Sequence, residues 1–222
     1  MNPSPFIITV ATAQHTSYAQ QICDEMESSA KARGTGIAKR TPEYIAQKML
    51  EGKAVIALDV NGVWAGFCYI ETWSHGKYVA NSGLIVSPEL RKSGLAKLIK
   101  NKIFELSRTK YPDSKIFGLT TGLAVMKINS DLGYRPVTYS ELTDDDAFWN
   151  GCKSCVNYEI LVMKNRSNCL CTAMLYDPAR EQKPIAREQL QILTPVEEPS
   201  IPVGYGTFAQ SHGNQNTNPT SI

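Results

Sequence analysis

Apolar positions along this chain follow two periods. Between Tyr18 and Arg33 they recur four apart, at Ile22, Met26 and Ala30, and the run stops at Gly34. That spacing lines one face of a helix. A second helix opens on Thr41-Pro42-Glu43 and runs to Leu50, with Thr41 as N-cap and Pro42 in the first helical position. A third covers Leu95 to about Lys110, where Leu95, Leu98, Ile99, Ile103 and Leu106 keep close to a 3.6 period. Phe6–Ala13, Ala54–Asp59, Val63–Glu71, Tyr78–Val86 and Lys115–Thr121 read as strands, and Asn61-Gly62 makes a hairpin of the second and third. Leu123–Asp131 is a further helix and Tyr134–Tyr139 a strand after Gly133. Val156–Met163 and Leu170–Tyr176 are both strand-like and flank a turn at Lys164–Asn168, which predicts a second hairpin.

This order predicts a mixed α/β domain, antiparallel early and with a parallel crossover around the third helix. With 222 residues, 42% apolar and 20% charged, the composition is that of a soluble globular chain of one domain. We expect residues 1–176 to form that domain, with a cysteine-rich segment at 144–176. Residues 177–222, punctuated by prolines and rich in Gln, Glu, Gly and Asn, read as an extended tail anchored only by Ile192-Leu193 and Tyr205–Phe208. The alternative for the tail is an arm wrapping the second subunit of a homodimer. A net charge of +2 makes no case for nucleic acid or an anionic membrane, and no apolar run approaches a bilayer span. Phe6–Ala11 is short and lacks a basic leader, which argues against an export signal. Six cysteines without such a signal suggest a reducing, cytoplasmic setting, with free thiols or metal ligation rather than disulfides.

The most informative stretch runs from Ser82 to Lys100. An apolar strand turns at Pro88 into the basic, glycine-containing loop Arg91-Lys92-Ser93-Gly94-Leu95-Ala96, which opens an amphipathic helix. Free backbone N–H groups at the positive end of a helix can hold phosphate oxygens, and Gly94 lets the chain come close to a ligand. The plainer reading is an ordinary helix start with a solvated basic turn. In this context the R-x-x-G-x-A pattern resembles the pyrophosphate-binding loop of the GNAT acyl-CoA N-acyltransferases. The resemblance covers about Phe6 to Tyr139 and implies the GNAT fold: a mixed central sheet with helices on both faces, here followed by a C-terminal extension. It also implies an acyl-CoA co-substrate, acetyl-CoA or another short acyl-CoA. Its pyrophosphate would lie on Arg91, Lys92, Ser93, Gly94, Leu95 and Ala96, and the thioester oxygen near the backbone of Ile85 and Val86.

Two further stretches narrow the resemblance. Phe117-Gly-Leu-Thr-Thr121, followed by Asp131-Leu-Gly-Tyr-Arg-Pro-Val137, is similar to the L-T-T … G-F-x-P segment of N-acetylglutamate synthase-type members. Ile37-Ala-Lys-Arg40-Thr-Pro-Glu-Tyr44 is similar to their R-[ST]-x-x-[YE] helix entry. The likeness implies Arg40, Thr120 and Thr121 as substrate-binding residues, glutamate as the favoured amino-acid acceptor, acetyl or succinyl as the acyl group, and a place in arginine biosynthesis. A guanidinium suits a carboxylate because it forks onto both oxygens. Arg135 is a second candidate. The chain also departs from the pattern. Asn129 stands where a proton-donating tyrosine is usual, Gly122 replaces a helix-start asparagine, and Ala80 aligns with a central-strand glutamate. Glu71 and Tyr69 are the substitutes available for acid–base work; His75 reads as an exposed loop residue. Transfer to another primary amine or a protein, or a non-catalytic acyl-CoA sensor, are the alternatives.

Cys152-Lys-Ser-Cys155 and Cys169-Leu-Cys171 complete the candidate chemistry. C-x₂-C followed by C-x-C has the look of a four-thiolate zinc site. The expected hairpin opposes it, since Cys155 and Cys169 would then stand about 20 Å apart at roughly 3.3 Å per residue. The set can close only if the intervening segment bends. Cys23 and Cys68 read as core residues.

Overall fold

The structure, a computed structural model, describes residues 5–34 and 39–181. Its elements in chain order are β1 (Phe6–Val10), α1 (Ala19–Ala32), α2 (Pro42–Leu50), β2 (Ala54–Asp59), β3 (Trp64–Trp73), β4 (Tyr78–Val86) and α3 (Leu95–Lys110), then β5 (Lys115–Thr120), α4 (Leu123–Asp131), β6 (Arg135–Val137), α5 (Asp146–Asn150), α6 (Tyr158–Met163), β7 (Thr172–Tyr176) and α7 (Pro178–Glu181). The tail anchors expected at Ile192-Leu193 and Tyr205–Phe208 lie outside the described residues.

Seven strands form one sheet in the order β1-β2-β3-β4-β5-β7-β6. Only β4 and β5 run parallel, joined by the α3 crossover. The β2–β3 hairpin forms where Asn61-Gly62 predicts it, and the Asp59 carboxylate accepts from the N–H groups of Asn61 and Val63, each at 2.8 Å. Alternation along the strands sorts the core onto two faces. Val55, Ala57, Val79 and Ile116 meet Leu95, Ile99 and Ile103 of α3. Ala54, Ile56, Phe67 and Ile85 meet Ile22 and Met26 of α1 and Ile45 and Met49 of α2. Next to that second layer, Ala80, Phe117, Ala173 and Leu175 pack against Tyr139, Leu142, Trp149 and Leu161. Residues 139–161 therefore form a lid at one end of the sheet.

The lid corrects the expected second hairpin. Residues 158–163 are helical, as α6, and β7 lies between β5 and β6 with no edge left for them. A segment without a strand partner must satisfy its backbone internally, and a helix does so. The expected strand Tyr134–Tyr139 shortens to Arg135–Val137 because Tyr139 turns into a short 3₁₀ segment leading to the lid.

Candidate active site

β4 and β5 pair at only three positions, Tyr78–Lys115, Val79–Ile116 and Ala80–Phe117. Past Ala80 they part. β4 keeps β3 as its partner, while β5 turns to β7. Along Asn81–Val86 the edge of β4 that faced β5 is thus open, a slot for an extended ligand between two strands. A bulge sits in the same stretch. Phe67 pairs with Ile85 and Tyr69 with Ser82, so β4 spends one residue more than β3. Gly83 takes φ +63° in the bulge, and a Cβ there would run into the Tyr69 ring and stand 2.7 Å from Met26 Cε. The missing side chain lets Tyr69 lie flat over the strand.

The loop after β4 ends in Gly94, the N-cap of α3, at φ +86°. Lys92 also has a positive φ, +66°. The N–H groups of Lys92, Ser93 and Gly94 meet no acceptor among the described residues. Three unpaired donors at the start of a 16-residue helix suit a phosphate. Arg91 is engaged elsewhere: its Nη2 donates to Glu25 Oε1 at 2.8 Å and Ser29 Oγ at 2.5 Å on α1, fastening the loop to that helix.

Beside the slot, between α1–α2 and the lid, is a cavity of about 490 Å³. Its floor is Tyr69, Glu71, Ser82, Gly83 and Leu119, and one wall is Lys39, Arg40 and Tyr44. Trp73 and Phe148 cover it, and Cys152, Cys155 and Cys171 form the wall on the lid side. Of the residues singled out by sequence, the structure brings Arg40, Tyr69 and Glu71 together. Arg40 Nε donates to the Tyr69 hydroxyl at 2.7 Å, Nη1 donates to the Lys39 carbonyl at 3.1 Å, and Nη2 is 3.8 Å from Glu71 Oε1. Glu71 is buried, its Oε1 accepting from Tyr44 and its Oε2 from Lys48 Nζ at 3.0 Å. Arg40 and Lys48 both lie over the Tyr44 ring, at 5.1 and 4.9 Å from its centroid.

Burial raises the Tyr69 phenol well above its usual range, with Arg40 pulling the other way. It therefore stands protonated at neutral pH, accepting from Arg40 with its own proton free to be donated. Each Glu71 oxygen already accepts one hydrogen bond and keeps a second lone pair, through which the carboxylate can take a proton directly or by way of a water. Thr120 and Thr121 are not in the cavity wall: the Thr120 hydroxyl accepts from Gly122 N at 3.0 Å, and Thr121 is exposed at the end of β5. Arg135 is exposed on β6, and His75 is an exposed loop residue as expected. Tyr44, which closes the R-[ST]-x-x-[YE] stretch but was given no role from sequence, and Lys48, which was passed over, follow Arg40 at intervals of four and so share one face of α2. Trp73 gave no signal, because it reaches the cavity only through the β3 register.

The four cysteines of the lid region are free thiols and half-buried. The Tyr139 hydroxyl lies 2.8 Å from Cys169 Sγ and donates to the Cys171 carbonyl at 2.9 Å. Burial pushes Cys152 up to about 11, with Cys155 and Cys169 adding to the rise. Burial, and then Cys169, Cys155 and Cys152, push Cys171 up to about 12. Cys68 is core, as expected. Among the described residues no group of three or more His, Cys, Asp or Glu side chains could hold a metal ion, so the four-thiolate zinc site suggested by the cysteine spacing is not supported. No helix among them is long and apolar enough to cross a membrane.

No family model and no curated protein matches the sequence. Solved structures do match the architecture. The N-acetylglutamate synthase of Neisseria gonorrhoeae, complexed with coenzyme A and N-acetyl-glutamate, superposes with a TM-score of 0.55 at 15% identity over 79% of this chain. This chain spans only 36% of that one. A GNAT-family acetyltransferase of Staphylococcus aureus gives a TM-score of 0.55 at 13% identity, covering 78% of this chain and 99% of its own. A Mycobacterium tuberculosis protein in complex with coenzyme A gives 0.53 at 14%, covering 77% and 98%. At such identities the likeness is one of fold, and it agrees with the parted β4 and β5, the glycine loop and the α3 crossover: the chain has the fold of the GNAT acetyltransferases.

Proposed function

We propose that the chain is an acyl-CoA-dependent N-acyltransferase that moves a short acyl group, acetyl or succinyl, onto the amine of an amino acid, with glutamate favoured. The observation that carries this reading is the position of Arg40 in a cavity that opens beside the β4–β5 slot. Pantetheine would lie in the slot, with its pyrophosphate on the free N–H groups of Lys92, Ser93 and Gly94. The acceptor amine would then approach from the cavity, its carboxylate on Arg40. Holding both reactants this way removes much of the entropic barrier.

The amine attacks the thioester carbon after losing a proton toward Glu71 through water. Charge growing on the carbonyl oxygen is met by backbone N–H groups of β4 near Ile85 and Val86. Tyr69 supplies a proton to the departing thiolate. The nitrogen–carbon bond forms and the carbon–sulfur bond breaks; the ammonium gives up two protons, one released through water and Glu71 to solvent before attack, and one lost by the nitrogen after attack, which restores the Tyr69 phenol once it has protonated the thiolate.

A thiol-release assay with acetyl-CoA and succinyl-CoA across a panel of amino acids tests the reading. Turnover with glutamate above that with glutamine and alanine is expected. Activity confined to polyamines or protein N-termini would reject the amino-acid acceptor and leave the acyltransferase reading standing. The second reading, a non-catalytic acyl-CoA sensor, is favoured by the engagement of Glu71 with Tyr44 and Lys48. Coenzyme A binding without thiol release across the whole panel would select it.

A further inference from the structure

We infer that Lys48 is a positioning residue of the site: its ammonium holds the Glu71 carboxylate from outside the cavity wall, which leaves the Arg40 guanidinium free for the carboxylate of the acceptor. This role rests on the acyl-transfer reading, with Glu71 as the proton acceptor and Arg40 as the partner of the amino acid.

Two cations stand near one buried carboxylate, and they stand differently. Lys48 Nζ donates to Glu71 Oε2 at 3.0 Å. Arg40 Nη2 stops 3.8 Å from Oε1, beyond a hydrogen bond, and its Nε is directed to the Tyr69 hydroxyl. Glu71, Arg40 and Tyr44 line the cavity, whereas Lys48 is not among the lining residues. Lys48 reaches Glu71 from α2, one turn beyond Tyr44, and its ammonium lies 4.9 Å from the centre of the Tyr44 ring. The Tyr44 hydroxyl donates to Glu71 Oε1. One face of α2 thus supplies a partner for each carboxylate oxygen, the charged partner being the one outside the wall.

Neither member of the pair has much water around it: side-chain exposure is 14% for Lys48 and 8% for Glu71. Removal of the ammonium would leave a buried carboxylate without its closest counter-charge. The other groups that face Glu71 are Arg40 from the chain before α2, Lys53 ahead of β2, and the phenols of Tyr44 and Tyr69. Lys53 is paired with Glu51 at 2.8 Å. Burial pushes both phenols up, so they bring no charge at neutral pH. That leaves Arg40 as the cation placed to close on Glu71 when Lys48 is gone, and a guanidinium engaged there is lost to the acceptor. Lys48 thereby separates two tasks that one cation cannot perform together.

The test follows thiol release by the full chain across pH, with acetyl-CoA and glutamate, for the unaltered chain and for Lys48→Met, Lys48→Gln and Lys48→Arg. The low-pH limb of kcat/KM reports the base of the free enzyme. Lys48→Met should move that limb upward by about one pH unit or more, because the charge beside the carboxylate is gone. At neutral pH it should raise KM for glutamate roughly tenfold, with coenzyme A affinity unchanged. Lys48→Gln keeps a donor and loses the charge, so it should behave as Lys48→Met does, while Lys48→Arg should restore the limb. In a Glu71→Gln background Lys48→Met should add no further loss. Thermal melts show which variants are folded, and Lys48→Gln carries the test where Lys48→Met does not fold. A limb unmoved in the folded variants, or an undiminished loss in the Glu71→Gln background, would overturn the role of Lys48 and leave acyl transfer standing. No thiol release from the unaltered chain with any acceptor would overturn the acyl-transfer reading and the positioning role with it.

Discussion

Lys100 is only 2% exposed, yet among the described residues no carboxylate pairs with it. Its Nζ donates to Asn81 Oδ1 at 3.3 Å and lies 5.2 Å from the centre of the Tyr134 ring. Asn81 Oδ1 also accepts from the Tyr134 hydroxyl at 3.0 Å, while its Nδ2 donates to Ser107 Oγ at 2.8 Å. The network stands where β4 leaves β5, on the α3 face. Burial lowers Lys100 to about 8, so the folded chain releases this proton more readily than the unfolded chain does. Between about pH 8 and the ordinary lysine range the unfolded state holds the extra proton, and stability rises with pH there. Cys68 and Tyr134 face the same network and are pushed up by burial, Cys68 to about 11, so they reverse the trend at higher pH. Melts should therefore show a gain from pH 7 to 9. Lys100→Met should remove that gain and raise neutral-pH stability by an amount on the order of 2 kcal/mol. A melting curve with the same pH slope in the variant would show that Lys100 is not the titrating group. Arg40 has the opposite character, since its guanidinium is half-buried and faces a cavity. Arg40→Ala should cut kcat/KM for glutamate roughly a hundredfold, the loss expected for a desolvated carboxylate partner, with coenzyme A affinity unchanged.

At the scale of elements, the loop before α3 and the bulge in β4 carry the argument, and sequence revealed only the first. Gly94 was legible through its context, a basic loop between an apolar strand and an amphipathic helix. Its φ of +86° and the open space around it now give the reason: a side chain there meets no atom within 4 Å, but it strains the backbone and covers the donors. Gly94→Arg should cost about 1 kcal/mol of stability and abolish thermal protection by coenzyme A. Protection undiminished in that variant would remove the phosphate assignment. Gly83 gave no such signal, since a bulge depends on the partner strand, which no local pattern encodes. A Cβ at Gly83 would displace Tyr69 and meet Met26 Cε at 2.7 Å. Gly83→Ala should therefore destabilise the fold by about 2 kcal/mol and lower turnover more than coenzyme A binding.

At the scale of the whole molecule, the hydrophobic period predicted nearly every strand and helix from Phe6 to Val137. Most of those strands pair with the next strand in the chain, β4 with β5 through the α3 crossover, and local pattern is enough for such contacts. The lid escaped it. Whether residues 158–163 become strand or helix turns on whether β7 has an edge to offer, and β5 and β6 occupy both edges. Among the described residues, the three buried clusters draw on positions between Phe6 and Tyr176. The last described contacts are ion pairs rather than apolar packing: Lys115 with Asp177 at 3.4 Å, and Arg180 with Glu141 at 2.7 Å. Half-exposed pairs of this kind contribute little, about 0–1 kcal/mol. A chain ending at Lys183 should thus keep the melting temperature of the full chain within about 3 °C, together with its protection by coenzyme A. A fall well beyond that would mean that residues 184–222 complete the core, and the boundary drawn at the end of β7 would be wrong.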